Sequence, residues 1–256
     1  MNQKIKYLVI GGHGFIGSHF CKRLNPKDYL VYDIQQPTGN PSPQLILNRK
    51  QGVNPSLIEI PDGIACEYLV HFGAFAGVRT HRPATDYFQN NCLDYLKLLQ
   101  KVKADKLIYI SSSSVLGNIE SPYSISKKIC EEITKTHSNW AIVRPFTVYG
   151  ENSRPDMLIT RCMLREKIMV NGDPKTIYRK YTYVEDLIDC ILEAQDKPGI
   201  VNAVGAEEYS IQDVLDLFRN EYSIQEKSPL DFTELILDGA RSYICHTTLE
   251  SFAEQC

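Results

Sequence analysis

Tyr7-Leu8-Val9-Ile10-Gly11-Gly12-His13-Gly14-Phe15-Ile16-Gly17 joins a short apolar run to a glycine-rich turn and the start of an amphipathic segment. A run of that length and composition suits a strand buried on both faces, and residues 15–24 carry helical spacing. Gly12, Gly14 and Gly17 satisfy G-x-G-x-x-G, while Gly11, Gly14 and Gly17 satisfy the wider G-x-x-G-x-x-G. Between a strand and a helix, such glycines let the backbone turn tightly. They also let a pyrophosphate approach the helix N-terminus, where free N–H groups and the helix dipole favour an anion. In isolation the same residues would serve a plain tight turn, so the signals further along the chain decide.

Further apolar runs occur at Leu30-Val31-Tyr32, Leu69-Val70-His71-Phe72, Leu107-Ile108-Tyr109-Ile110 and Ala141-Ile142-Val143. Helical patterns lie between them near 84–102 and 122–136, with Pro83 and Pro122 placed where a helix starts and Asn25-Pro26 where one stops. The alternation predicts an α/β chain with a doubly wound parallel sheet, a Rossmann fold. Leu45-Ile46-Leu47 is the one strand-like run between Gln35 and Gly63. After Gly150 the β-α-β rhythm gives way to shorter elements. The expected organisation is a dinucleotide-binding domain over 1–150, with a returning segment near 180–205, and a small C-terminal substrate-binding cap over 151–256.

The composition excludes several classes of function. A net charge of -3 gives no overall basic field for nucleic acid. No apolar run approaches the ~18 residues of a membrane span, and residues 1–6 lead into a strand without a signal-peptide pattern. Eight cysteines are scattered without a C-x-x-C, which reads as reduced thiols of a cytoplasmic protein and offers no metal-ligand spacing.

Three positions add chemistry to the glycine turn. Asp33 ends the second strand about 20 residues on, where a carboxylate binds adenosine ribose hydroxyls and repels a 2′-phosphate, which favours NAD over NADP; a strand-end turn residue is the plainer alternative. Ser111 to Ser114 come after the strand ending at Ile110 and so lie at a carboxyl end, where open α/β sheets place ligands, although four serines also suit a polar turn. Tyr123 and Lys127 stand four apart and share one face of a helix. With 15 tyrosines and 17 lysines, about one such spacing arises by chance, so its position after the other signals carries the weight. A lysine ammonium beside a phenol favours phenolate, and a serine hydroxyl can bond the same substrate oxygen. Together they can take a proton from an alcohol whose carbon gives hydride to a nicotinamide.

With these residues in place, the chain resembles the extended short-chain dehydrogenase/reductase family, in its NAD-dependent nucleotide-sugar epimerase/dehydratase group. The resemblance runs from Gly11 to about Gly205. It includes His71-Phe72-Gly73-Ala74, Gly77-Val78-Arg79, Asn91, Arg144-Pro145-Phe146-Thr147-Val148-Tyr149-Gly150, Arg154-Pro155-Asp156, Gly172-Asp173 and Tyr181-Thr182-Tyr183-Val184-Glu185-Asp186. It implies that Ser112, Tyr123 and Lys127 are catalytic, with Tyr123 as base. Gly11, Gly14, Phe15, Ile16, Gly17, Asp33, Phe72, Gly73, Ala74, Asn91, Ser111 and Pro145 would bind the cofactor together with Tyr123 and Lys127. Ser112, Ser113, Thr147, Arg154, Arg179 and Arg241 would meet the nucleotide sugar.

The departures from the family narrow the reaction. Family dehydratases carry an Asp-Glu pair, and decarboxylases a Glu, where this chain has Ser113 and Ser114. Loss of water lacks its acid, whereas oxidation and re-reduction at C4 needs none. The expectation is NAD-dependent 4-epimerisation, with a net 4-dehydrogenase or 4-keto reductase and a non-catalytic dinucleotide sensor as alternatives. Thr147 and Leu116 replace the family's usual Asn and Tyr, and the part after Gly205 is short. The family's helix pairing implies a homodimer through helices near 84–102 and 122–136, with Tyr87, Leu93, Leu96, Ile125, Ile129 and Ile133 available.

Overall fold

The apolar runs become strands of one parallel sheet in the computed structural model, which describes residues 5–33, 60–77, 82–117, 121–225 and 239–255. The elements run β1 (Ile5–Ile10), α1 (Phe15–Lys22), β2 (Tyr29–Tyr32), β3 (Ile64–His71), α2 (Ala84–Tyr87), a π-helical turn (Phe88–Leu93), α3 (Asp94–Lys101) and β4 (Val102–Ile110). Next come a short turn (Ser113–Leu116), α4 (Pro122–Lys135), β5 (Trp140–Pro145), β6 (Thr147–Tyr149), α5 (Leu158–Met163), β7 (Ile168–Asn171), β8 (Tyr178–Tyr183) and α6 (Val184–Glu193). The chain continues through β9 (Gly199–Gly205), β10 (Glu208–Ser210), α7 (Ile211–Leu217), β11 (Tyr222–Gln225), β12 (Arg241–Cys245) and α8 (Leu249–Ala253). The expected strand at Leu45-Ile46-Leu47 lies outside the described residues.

The main sheet has the order β12-β9-β5-β4-β3-β1-β2, and every neighbouring pair is parallel. Its inner strands bury both faces, as their apolar runs require. Val9, Val31, Val70, Ile108 and Val143 pack under α1 and α6 with Phe20, Leu187, Ile188 and Ile191. The alternate residues Leu8, Ile10, Leu69, Leu107, Tyr109 and Ile142 pack on the other face against Cys92, Tyr95, Leu98 and Cys130 of the π turn, α3 and α4. A third cluster forms the cap: Tyr149, Ile159, Ile168, Tyr181, Tyr209, Val214 and Phe252 pack around the β10-β8-β6 sheet and the β11-β7 pair.

Residues beyond 150 supply both parts. The sequence pattern assigns 151–256 to the cap apart from a returning segment near 180–205, yet β12 at 241–245 pairs with β9 in the main sheet, Cys245 beside Gly205. Its sequence Arg-Ser-Tyr-Ile-Cys is mostly exposed, because it closes the sheet as an edge, so it lacks the apolar run of a central strand.

Helix α4 starts as Ser121 and Pro122 dictate: the Ser121 hydroxyl accepts from the Ser124 N–H (3.1 Å), and proline takes the first turn, where no N–H is needed. Of the six side chains expected on the exposed faces of these helices, Leu93, Leu96, Ile125 and Ile129 are 38–48% exposed. Tyr87 is 2% exposed, and Ile133 packs into the core, so those two turn inward. Among the described residues, no helix is long and apolar enough to cross a membrane.

Gly205 ends β9 where a Cβ would collide with the Tyr181 carbonyl of β8, so the two sheets meet backbone to backbone. Gly205→Ala forces that contact apart and should cost about 1–3 kcal/mol. For a chain of this size that lowers the thermal midpoint by roughly 3–10 °C, measurable by calorimetry.

Candidate active site

The site forms at the carboxyl ends of β1, β3, β4 and β5. Gly11 leaves β1 with φ +78°, and a Cβ there would stand 2.7 Å from the Gly73 nitrogen. The turn after β1 and the turn after β3 thus touch through backbone alone. Phe72 and Gly73 N–H groups both donate to the Ile10 carbonyl, at 2.8 and 3.1 Å, and fix that approach. Any side chain at Gly17 would collide with the Gly11 carbonyl, so α1 packs directly on the turn that precedes it. At Gly14, by contrast, a Cβ would meet only the Gly11 carbonyl at 3.4 Å, and no side chain caps α1. Its first N–H groups are left for an external acceptor. Asp33 reaches back from the end of β2, and its carboxylate accepts the His13 N–H at 2.8 Å. One residue therefore braces the glycine turn and lies where a ribose is expected. The cradle fits a dinucleotide: Gly11, Gly14, Phe15, Ile16 and Gly17 surround the helix start, and Phe72, Gly73 and Ala74 form the adjoining turn.

Asn91 sits in the π-helical turn and is 1% exposed. Its side-chain carbonyl accepts the Phe75 N–H (2.8 Å), and its amide donates to the Phe75 carbonyl (3.2 Å) and the Ser126 hydroxyl (2.9 Å). It clamps the turn after β3 to α4. A π turn exposes backbone groups that a regular helix consumes, and such turns recur at functional sites: here the Asn91 carbonyl accepts from the Cys130 thiol at 3.0 Å.

Tyr123 and Lys127 lie on the first two turns of α4. Tyr123 lies near Ser112, and its ring centroid is 6.3 Å from that of Tyr87 in an edge-on contact. Burial raises its phenol above the usual value; the Ser112 hydroxyl and the positive Arg154 draw it down, and Tyr87 pushes it up. Lys127 is buried, donates to the Ile110 carbonyl at the end of β4 (2.7 Å) and lies 4.8 Å from the Tyr109 ring centre. Burial lowers its ammonium to about 8, while Cys130, Glu131 and Cys92 draw it up. The spacing of Tyr123 and Lys127 points to the ammonium as the group that eases phenol ionisation. In the folded site Ser112 and Arg154 draw the phenol in the same direction.

The serines divide their work. Ser111 is buried and donates to Glu131 (2.6 Å), so it is engaged in the core of the site. Ser112 caps the following turn by accepting the Ser114 N–H (3.2 Å). Ser113 is 8% exposed, and the buried Ser114 hydroxyl has no hydrogen-bond partner among the described residues. Pro145 is buried at the end of β5, and Thr147 begins β6, half-buried, opposite Tyr181. Arg154 is held by Asp156 through two 3.0 Å hydrogen bonds, and its charge reaches Tyr123. Arg179 lies on β8 of the cap, opposite Tyr209, and donates to the Tyr178 carbonyl.

Arg241 is not brought to this group. It begins β12 on the face packed by α6, as the neighbouring Tyr243 does, and its guanidinium is 3.9 Å from Glu193 at the far end of that helix. Spacing alone could not tell which face of an unrecognised edge strand it would take.

Three participants escape a reading of the sequence. Tyr87 packs on the Tyr123 ring, and Glu131, four residues past Lys127, shares its helix face; the i+4 spacing is the available signal. His71 is buried at the end of β3, and its Nδ1 has no hydrogen-bond partner among the described residues. Burial, then the Lys127 charge, push it to about 3, which keeps the ring neutral.

Residues 7–205 match a family profile described as "NAD dependent epimerase/dehydratase family". The "Uncharacterized UDP-glucose epimerase YtcB" of Bacillus subtilis is 27% identical, over 91% of this chain and 86% of that protein. Among solved structures, the UDP-glucuronic acid 4-epimerase of Bacillus cereus, in complex with UDP-glucuronic acid and NAD, superposes with a TM-score of 0.71. It is 24% identical and covers 98% of this chain and 92% of its own. TunA, an NAD-dependent NDP-hexosamine 5,6-dehydratase involved in tunicamycin biosynthesis, gives 0.75 at 26% identity, covering 93% and 89%.

Two variants test the geometry. Gly17→Ala should abolish NAD binding in a calorimetric titration, because the added methyl displaces the turn. Arg154→Ala removes a charge that favours phenolate, so the Tyr123 pKa rises and the acidic limb of a kcat/KM profile moves to higher pH.

Proposed function

The chain belongs to the NAD-dependent epimerase/dehydratase family, and on that premise we propose that it epimerises a nucleotide-diphosphate sugar at C4 through a transient 4-keto sugar. The observation that carries this reading is the placement of the Tyr123 phenol near Ser112, at a turn whose remaining side chains, Ser113 and Ser114, are hydroxyls where the family's dehydratases hold acids. Glu131, the carboxylate nearest Lys127 on α4, is taken by Arg144 and Ser111. That leaves Tyr123 as the proton carrier.

In this reading the Tyr123 phenolate takes the proton of the C4 hydroxyl while Ser112 bonds the same oxygen. NAD, when bound, supplies the hydride acceptor at C4 and the hydride that returns. Lys127, fixed by the Ile110 carbonyl, would hold the nicotinamide ribose, and Asp33 the adenosine ribose. The keto sugar turns over in the pocket, receives hydride on its other face, and regains its proton from Tyr123. Thr147, Ser113 and Arg154 would hold the sugar, and Arg179 the diphosphate. The names of the Bacillus relatives point to UDP-sugars as the first substrates to try.

Four exposed apolar side chains on adjoining helices, Leu93, Leu96, Ile125 and Ile129, support a homodimer through that face. Light scattering at micromolar concentration should give the mass of two chains, and Ile129→Asp should give one. The seven described cysteines are all buried and none is in a disulfide, in keeping with a cytoplasmic enzyme.

Incubation with NAD and a panel of UDP-, dTDP-, GDP- and CDP-sugars, with products read by NMR, should show one sugar converted to its C4 epimer without net NADH. Stoichiometric NADH would make the protein a dehydrogenase, and tight NAD binding without turnover a sensor. Tyr123→Phe should lower turnover by about 10²–10⁴-fold with NAD affinity little changed.

A further inference from the structure

We propose that the buried pair Glu131–Arg144 is a positioning unit that sets the catalytic helix against the strand ends, placing Tyr123 and Lys127 relative to Ser112. The proposal rests on the reading of Tyr123 and Lys127 as the acid/base couple. Glu131 and Arg144 are 2% and 5% exposed. One carboxylate oxygen accepts from Arg144 Nε at 2.7 Å and from the Ser111 hydroxyl at 2.6 Å, and the other accepts from Arg144 Nη2 at 2.7 Å. Two charges at this depth hold together only with such complete pairing; removing either leaves an uncompensated charge in the core.

The position of the pair gives it a purpose beyond stability. Lys127 and Glu131 lie on successive turns of α4 and grip successive residues of one strand end: the ammonium takes the Ile110 carbonyl, and the carboxylate takes the Ser111 side chain. Ser112 is the next residue. Arg144 comes from β5, one residue before Pro145 and three before Thr147, so the same carboxylate ties the strand that leads to the substrate side. Ser111 N–H also donates to the Val143 carbonyl (2.8 Å), which closes the ring of contacts. The two-point Arg–carboxylate geometry fixes both distance and rotation, which a single hydrogen bond would not. A sliding or rolling of α4 by about 1 Å would separate Tyr123 from Ser112, and misplacement on that scale costs up to about 100-fold in rate.

Glu131 also acts through charge. The groups around Lys127 are Cys92 on the π turn, Cys130 and Glu131 on α4, His71 on β3 and Tyr109 on β4. Glu131 is the carboxylate in that set. Its loss lets the ammonium give up its proton at lower pH, which moves the alkaline limb of the rate profile to lower pH.

Three variants of the full-length protein separate these effects: Glu131→Gln, Glu131→Asp and Arg144→Lys. Each is measured for cooperative melting, NAD affinity, kcat, KM and the pH profile. Arg144→Lys keeps the charge and loses the two-point geometry, so kcat should fall about 10- to 100-fold with KM within about threefold and the alkaline limb unmoved. Glu131→Asp should behave alike, since it retains charge but falls a methylene short. Glu131→Gln should show the same loss together with the displaced limb. Where Glu131→Gln does not fold, the two charge-retaining variants decide. Folded variants with a lowered melting point but parental kcat and pH profile would overturn the proposal and leave the pair as a structural brace. If the parent turns over no sugar, the epimerase reading fails separately. The pair is then judged by NMR of ε-¹³C-lysine protein, with the Lys127 signal identified by its loss in Lys127→Met. A lower titration midpoint in Glu131→Gln supports the coupling, and an unchanged one overturns it.

Discussion

An ammonium buried between a sheet and a helix has to be met by oxygen, and Lys127 is met by the carbonyl of Ile110, the last residue of β4. That hydrogen bond is one anchor of α4, with the Glu131–Arg144 pair a turn further on as the other. Together they bring the first turn of the helix over the end of the strand, so Tyr123 arrives beside Ser112 and the serine turn becomes part of a site. The desolvation that lowers the Lys127 ammonium toward neutrality also makes its partners obligatory. The surrounding polar groups, Ser111, Glu131 and Arg144, are accordingly paired with one another.

The opposite half of the site is built from backbone. Gly11 approaches Gly73 so closely that a side chain is excluded at the β1 end, and Asp33 braces the turn from β2. The two halves meet because β1, β3 and β4 are parallel neighbours whose ends stand in register: Ile10 pairs with His71, and His71 with Tyr109. A helix start open to an anion and a phenol beside a serine hydroxyl therefore both lie at the carboxyl end of the sheet. This is the requirement for passing hydride to one molecule while moving a proton within the other.

Much of this is legible in the chain itself. Central parallel strands are apolar on both faces, so β1 to β5 stand out as unbroken runs, and the glycines, Asp33, Ser112 and the Tyr123–Lys127 spacing come in order after them. The features that escape depend on contacts between distant segments. β12 is polar because it is an edge. Tyr87 turns inward to donate its hydroxyl to the Gly77 carbonyl and pack on Tyr123, and Ile133 packs into the core below the sheet, contacts that a helical period alone does not describe. The influence of Arg154 on Tyr123 is set by the fold of a loop 31 residues further along the sequence. The role of Glu131 needs β5 to bring Arg144 beside it.

The central claim is that C4 of a nucleotide sugar gives up hydride and takes the same hydride back, with Tyr123 moving only the hydroxyl proton. Sugar deuterated at C4, turned over in ordinary water and monitored by NMR, tests it most directly. The account predicts that the epimeric product keeps its deuterium at C4 and takes no solvent hydrogen onto carbon. Loss of the C4 label to solvent, or its appearance at C6, would contradict it.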